Sequence, residues 1–203
     1  MKIGPKYKIA RRLGAPVFEK TQSPKYAISQ ARKEKSRKGF SRPKSEYGTQ
    51  LLEKQKARYV YCVLERQFSK YAKEALAKKD KRAVDRLFQS LELRADNVVF
   101  RAGLTPTRLA ARQLVSHGHI LVNGRRITVP SYTLAMGDRI ALRPSSEKSS
   151  LFKDLDERLK GHKTPEWMTY DASMRTVRIT GSPKYEPENS LFDINVVLEF
   201  YSR

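Results

Sequence analysis

From residue 51 to about residue 91 the apolar positions recur at intervals of three and four. In "LLEKQKARYVYCVLERQFSKYAKEALAKK" the residues Val60, Leu64, Phe68, Tyr71, Ala72, Ala75 and Leu76 make the stripe of an amphipathic helix, in a helical pattern that starts at Glu46. Asp80 can cap a following helix whose buried side carries Val84, Leu87, Phe88 and Leu91. Cys62, inside the stripe, reads as a small buried hydrophobe, and Tyr59, Tyr61 and Tyr71 as core or flank residues. In "SLELRADNVVFRAGL" (90–104) a helical wheel puts Leu91, Ala95, Val98, Val99 and Ala102 on one side. Arg94, Asn97 and Arg101 fall on an adjoining polar flank. Gly103 suits the left-handed residue that ends a helix. Thr105 is then expected to cap the next helix, with Pro106 at its first position. On that helix Arg108, Arg112 and Ser116 lie at i, i+4 and i+8, opposite Ala110 and Leu114.

After Gly118 the period shortens to two. In "HILVNGRRITV", Asn123-Gly124 predicts a tight hairpin, because both turn residues must take positive φ. Gly137-Asp138 before "RIALR" predicts a further turn and strand. Helix, helix, hairpin and strand within about fifty residues make a compact α+β unit, a size on which a core can form. Beyond it come an acidic patch, "LFKDLDERLKG", strand-like "TVRIT", and "INVVLEFY". In the last, Ile194, Val196, Leu198 and Phe200 alternate with other residues as a partly buried strand would. Trp167 reads as a packing anchor. Residues 1–45 mix Lys, Arg, Gly, Ser and Pro with scattered apolar residues, "ISQARKEKSRKGFSRPKS" shows no apolar stripe, and together they predict a basic arm ordered mainly by its partner.

Charge narrows the nature of that partner. Lys and Arg number 42 against 21 acids, a net charge of +21, and such self-repulsion calls for a polyanion. Residues 1–50 hold 14 bases and 3 acids, residues 51–90 hold 11 and 5, residues 91–145 hold 8 and 3, and residues 146–203 hold 9 and 10. The excess thus ends near residue 145, and the lysines and arginines interleaved in the first helical stripe are candidate RNA contacts. All eight bases of 91–145 are Arg, which favours forked recognition of phosphate over a diffuse positive cloud.

Little in the chain points to catalysis. One cysteine allows neither an internal disulfide nor a four-cysteine zinc site and fits a reducing compartment, the cytosol. No apolar run reaches the roughly 18 to 20 residues of a membrane span, and the first residues lack a signal-peptide pattern. There is no phosphate-loop, dinucleotide, HExxH or GxSxG signature. His117 and His119 form a close pair with no further ligand type spaced near them, so neither metal nor cofactor is expected. His117, at the end of the basic helix, is better placed to donate to a phosphate or cap a carbonyl.

The segment "ELRADNVVFRAGLTPTRLAARQLVSHGHILVNGRRITVPSYTLAMGDRIALR" (92–143) resembles the RNA-binding motif named after small-subunit ribosomal protein four. "LLEKQKARYVYCVLERQFSKYAKEA", "GPKYKIARRLG" and "DINVVLEFYSR" are similar to other parts of that ribosomal family, bacterial type, so the resemblance runs nearly end to end. It implies a noncatalytic, primary binder of small-subunit (16S) ribosomal RNA that nucleates assembly of the subunit body and supports translational accuracy in the cytoplasm. Implied partners are ribosomal protein five, other neighbouring small-subunit proteins and messenger RNA near the entry channel, with no membrane and no small-molecule substrate. The implied architecture is α+β: an arm (1–45), a discontinuous helical domain (46–89 and 186–203) and an inserted domain (90–185) of the alpha-L type with the motif at 92–145. Carried over by position, the RNA-facing residues are Arg94, Asn97, Thr107, Arg108, Arg112, Gln113, His117, Asn123 and Gly124, to which Arg101, Ser116 and Arg125 are added as candidates. Many relatives hold zinc through four arm cysteines, and this arm has none. The alternative reading is a protein that uses the same motif outside the ribosome, as an RNA-modification or regulatory factor.

Overall fold

A computed structural model describes residues 3–35, 45–77, 82–147, 149–152, 154–171 and 174–202. It is an α+β protein with two compact units: Met1–Leu87 with Tyr185–Arg203, and Phe88–Lys184.

The first unit is helical. Helix α1 (Lys6–Leu13) ends on Gly14, whose φ of 70° lets its N–H return to the carbonyl of Ala10. A 3-10 turn (Glu19–Gln22) and α2 (Pro24–Lys35) follow. Contrary to the expectation of an arm waiting for its partner, Leu13, Val17 and Phe18 are buried and pack with Leu52, Tyr59 and Val60 of α3 (Glu46–Val60). Burying three such side chains contributes about 1.5–3 kcal/mol each, enough to hold α1, which would be marginal alone, against α3. Helix α3 opens on Ser45, whose hydroxyl accepts from the N–H of Gly48.

The single helix expected over 51–79 is two, because the chain breaks at Cys62 (φ 53°) before α4 (Glu65–Ala77) resumes. Cys62 is buried, as expected, but it sits at the corner rather than within a helix. The cap expected at Asp80 lies outside the described residues; α5 runs Ala83–Glu92 with Leu87 and Leu91 fully buried.

The last element corrects a second expectation. "INVVLEFYS" is not a strand but helix α10 (Ile194–Ser202), with Ile194, Val197 and Leu198 buried. Its apolar residues fit a period of two and the i, i+3, i+4 pattern equally over so short a run, and packing on α3 and α4 decides for the helix. Lys54 and Arg58, candidate RNA contacts on sequence, turn inward here instead. Lys54 Nζ lies 3.0 Å from Glu65 and 4.3 Å from the Phe200 ring centre, and Arg58 lies 2.9 Å from Glu65. The Tyr201 hydroxyl donates to Glu65 at 2.7 Å. Burial raises the Glu65 carboxyl, but the hydrogen bonds from Tyr201 and Lys54 and the charges of Lys54 and Arg58 outweigh it, and its pKa lies below the ordinary value. Burial first, then the bond to Glu65, pushes the Tyr201 hydroxyl far above the usual phenol range.

The second unit packs helices α6 (Ala95–Arg101), α7 (Arg108–Ser116), α8 (Pro144–Glu147) and α9 (Leu155–Lys160) with an antiparallel sheet in the order β2-β1-β3-β5-β4. The strands are β1 (Ile120–Val122), β2 (Arg125–Ile127), β3 (Arg139–Leu142), β4 (Met168–Asp171) and β5 (Thr176–Ile179). Ile120, Val122, Ile140, Leu142, Met168, Val177 and Ile179 alternate onto the core face and meet Val98, Val99, Ala111, Leu114 and Val115 from the helices. Trp167 packs against this core as a partly buried neighbour. No helix among the described residues is long and apolar enough to cross a membrane.

Candidate nucleic-acid interface

The core of the second unit fixes the two helices and the hairpin that carry the candidate residues. The hairpin forms as the Asn-Gly signal predicts, with Asn123 at φ 50° and Gly124 at φ 78° and Val122 opposite Arg125. Helix α7 starts two residues later than expected. Thr105 is buried and its hydroxyl donates to the carbonyl of Thr107; Thr107, extended at φ −147°, is the cap, accepting from the N–H of Ala110. Pro106 therefore lies before the helix rather than in its first turn. The buried face is Ala111, Leu114 and Val115, leaving Gln113 and Ser116 exposed and Arg108 and Arg112 half-buried.

A joint closes the helix against the hairpin. Gly118 turns the chain at φ 71°, and the Arg126 guanidinium lies so close that a Cβ on Gly118 would collide with it. Arg126 Nη2 also donates to the carbonyl of His117 at 3.2 Å, tying β2 to the end of α7. His117 is exposed at that end. His119 turns away, its Nδ1 2.9 Å from the Ser146 hydroxyl and its ring edge-on to Phe152. His162 Nε2 donates to the carbonyl of Arg101 at 2.7 Å, under Gly103. Among the described residues no three His, Cys, Asp or Glu side chains gather as metal ligands would.

Two candidates from the expected polar flank turn inward. Arg94 is 1 % exposed and makes a forked ion pair with Asp96, Nε to Oδ1 at 2.9 Å and Nη2 to Oδ2 at 2.7 Å. The chain from Pro130 to Leu134 covers it: the N–H groups of Ala95 and Asp96 donate to the carbonyls of Tyr132 and Pro130, and the N–H of Leu134 to that of Leu93. Asn97, 2 % exposed, donates its amide to both the backbone carbonyl (3.0 Å) and the side chain (2.9 Å) of Glu92. It accepts from Arg108 Nε at 2.8 Å. Arg101 completes the group by gripping Glu92 with Nε at 3.0 Å and Nη2 at 2.7 Å. The helical wheel misplaces Arg94 and Asn97 because 90–104 is not one helix: α5 ends at Glu92, Arg94 is the extended residue that caps α6 (φ −67°, ψ 138°), and the 130–134 segment then pairs with it.

The remaining candidates divide by how their side chains are engaged. Asn123 is exposed, yet its amide donates to Asp138 (2.8 Å) and accepts from the N–H of Arg139 (2.9 Å), latching the hairpin turn to the Gly137-Asp138 turn. The Ser116 hydroxyl donates to the carbonyl of Arg112. Arg125 is exposed beside Gly124. Sequence reasoning passed over the open face of the sheet, where Arg139 and Arg178 sit directly opposite each other on β3 and β5, both exposed. The signal was the alternation of "RIALR" and "TVRIT", which assigns each Arg to the face away from the core.

Two family models match adjoining parts of the chain. Residues 1–92 match the family model described as the ribosomal protein S4/S9 N-terminal domain, and residues 93–140 match the S4 domain. The chain is 42% identical to the small ribosomal subunit protein uS4 of Roseiflexus sp. (strain RS-1), over 98% of each chain. It is 39% identical to the protein of the same name from Chloroflexus aurantiacus (strain ATCC 29366 / DSM 635 / J-10-fl), over 99% of this chain and 98% of the relative. The protein of that name from Amoebophilus asiaticus (strain 5a2) is also 39% identical, over the same shares.

Proposed function

The chain belongs to the ribosomal protein S4 family, which is structural and not enzymatic, and we propose that it is a constituent of the small ribosomal subunit in the cytoplasm. Its task in this reading is primary binding of 16S ribosomal RNA, which starts assembly of the subunit body and supports translational accuracy. The observation that carries it is that half-buried Arg101, Arg108 and Arg112 and exposed Gln113, Ser116, His117 and Arg125 come from two helices and a hairpin held by one core in the second unit. Guanidinium groups anchored this way suit phosphate, and a rigid framework suits RNA recognised by shape. Arg94, Asn97, Thr107, Asn123 and Gly124 serve the same residues by setting their backbone and turns. Ribosomal protein five, other neighbouring subunit proteins and messenger RNA near the entry channel are its further partners in this reading.

Sucrose-gradient fractionation of cells carrying a tagged chain tests it. The expected result is co-sedimentation with small subunits and their early assembly particles; absence from both overturns the reading in favour of a role outside the ribosome. Purified chain should also bind 16S RNA with log affinity falling linearly in log salt, by about 0.7 to 0.9 per phosphate neutralised.

A further inference from the structure

The Glu92 carboxylate is 1 % exposed, yet Arg101, which grips it, is 37 % exposed, and Asn97, buried beside it, passes the contact on to the half-buried Arg108. Three donors meet it: Arg101 through two nitrogens and Asn97 through its amide. Both hydrogens of the Asn97 amide nitrogen are taken by Glu92, one by its carboxylate and one by its backbone carbonyl. The orientation of that amide is thereby fixed, since its oxygen must face the other way, toward Arg108 Nε. The Arg108 guanidinium is also stacked 4.3 Å above the Phe100 ring centre. One buried carboxylate therefore sets two guanidiniums, one directly and one through an amide relay.

We propose that Glu92 and Asn97 are positioning residues that preset the guanidiniums of Arg101 and Arg108 for RNA phosphate, Asn97 acting from inside the fold rather than by touching RNA. This rests on the RNA-binding reading above. An arginine carries large rotamer entropy, and fixing two of them before the ligand arrives removes that cost from binding. Charge alone predicts the opposite: without the Glu92 carboxylate the site would be one unit more positive, yet its two guanidiniums would be free to move and would grip less.

The test is a set of cycles read by filter binding of the full-length chain to a 16S ribosomal RNA transcript. Glu92→Gln keeps the shape but replaces a forked acceptor by an amide, and should weaken binding about tenfold in the native background and about twofold or less when Arg101→Ala and Arg108→Ala are already present. Its salt slope should match that of the native chain, whereas the two arginine substitutions should lower the slope by roughly 0.7 for each phosphate they no longer neutralise. Asn97→Leu removes the relay to Arg108 and one donor to Glu92 but leaves both Arg101–Glu92 bonds in place, so its effect on binding should persist with Arg101→Ala and vanish with Arg108→Ala. This variant carries the test should Glu92→Gln fail to fold. Equal losses in every background would mark a general structural role and overturn the proposal. Native affinity in the Arg101→Ala, Arg108→Ala chain would instead overturn the RNA-binding reading of these arginines.

Discussion

Each unit contains a carboxylate that gathers cations, and the two do opposite work. Glu65 collects Lys54 and Arg58 from α3 and the Tyr201 hydroxyl from α10, so charge knits three helices and draws two cations off the surface; their side chains are 9% and 15% exposed. Glu92 is itself buried but leaves its principal partner, Arg101, 37% exposed. In the helical unit charge fastens; in the second unit it aims. A chain of net charge +21 holds more positive groups than folding needs, and the placement of its few acids decides which of them remain outward.

Reversing charge on the aimed side should give the largest effect. Arg108→Glu with Arg112→Glu is expected to weaken binding to 16S RNA by about 100-fold at moderate salt, consistent with removing charge-assisted hydrogen bonds of about 1.5–3 kcal/mol. The circular dichroism spectrum should be unchanged; unaltered affinity would break the comparison by showing that these arginines are not aimed at RNA. Next in size, Gly118→Ala forces a side chain into the left-handed region and against Arg126, and should cost about 1–2 kcal/mol in urea unfolding of the chain. The smallest effect belongs to the fastening carboxylate. Glu65→Gln should cost about 1 kcal/mol at neutral pH, a partly exposed pair contributing modestly. The folded pKa of Glu65 lies below its unfolded value, so its contribution is present above the ordinary carboxylate range and lost as pH falls through the lowered folded value. Native and variant stabilities should therefore converge in acid, and a gap that persists there would show that Glu65 acts by packing and not by charge.

Features set by neighbouring residues were legible in the sequence. Asn123-Gly124 and Gly137 announce turns because their backbone conformation is demanded locally, and both turns are where the pattern puts them. The α+β class and the burial of Ala95, Val98, Val99 and Ala102 follow from equally local patterns, whereas the buried face of α7 is Ala111, Leu114 and Val115 rather than Ala110 and Leu114, because the helix starts at Arg108. Elsewhere the deciding partner is distant. Arg94 reads as surface until residues 130–134 cover it, and Lys54 as RNA-facing until Glu65 and Phe200 arrive from other helices. "INVVLEFY" satisfies two periods, and only its seat on α3 and α4 selects one. The corner at Cys62 contains neither Gly nor Pro, so nothing in its own residues foretells the positive φ.

Arg139 and Arg178 face each other across adjacent strands, and like charges in that position destabilise a sheet. The free chain folds against this repulsion. A polyanion laid on the face relieves it, and a ligand at 100 times its dissociation constant adds about 2.7 kcal/mol to the stability of the folded form. In the RNA-binding reading proposed above, a chain engaged with RNA on this face would open less often than an unengaged one, which slower proteolysis of the RNA-bound chain would register.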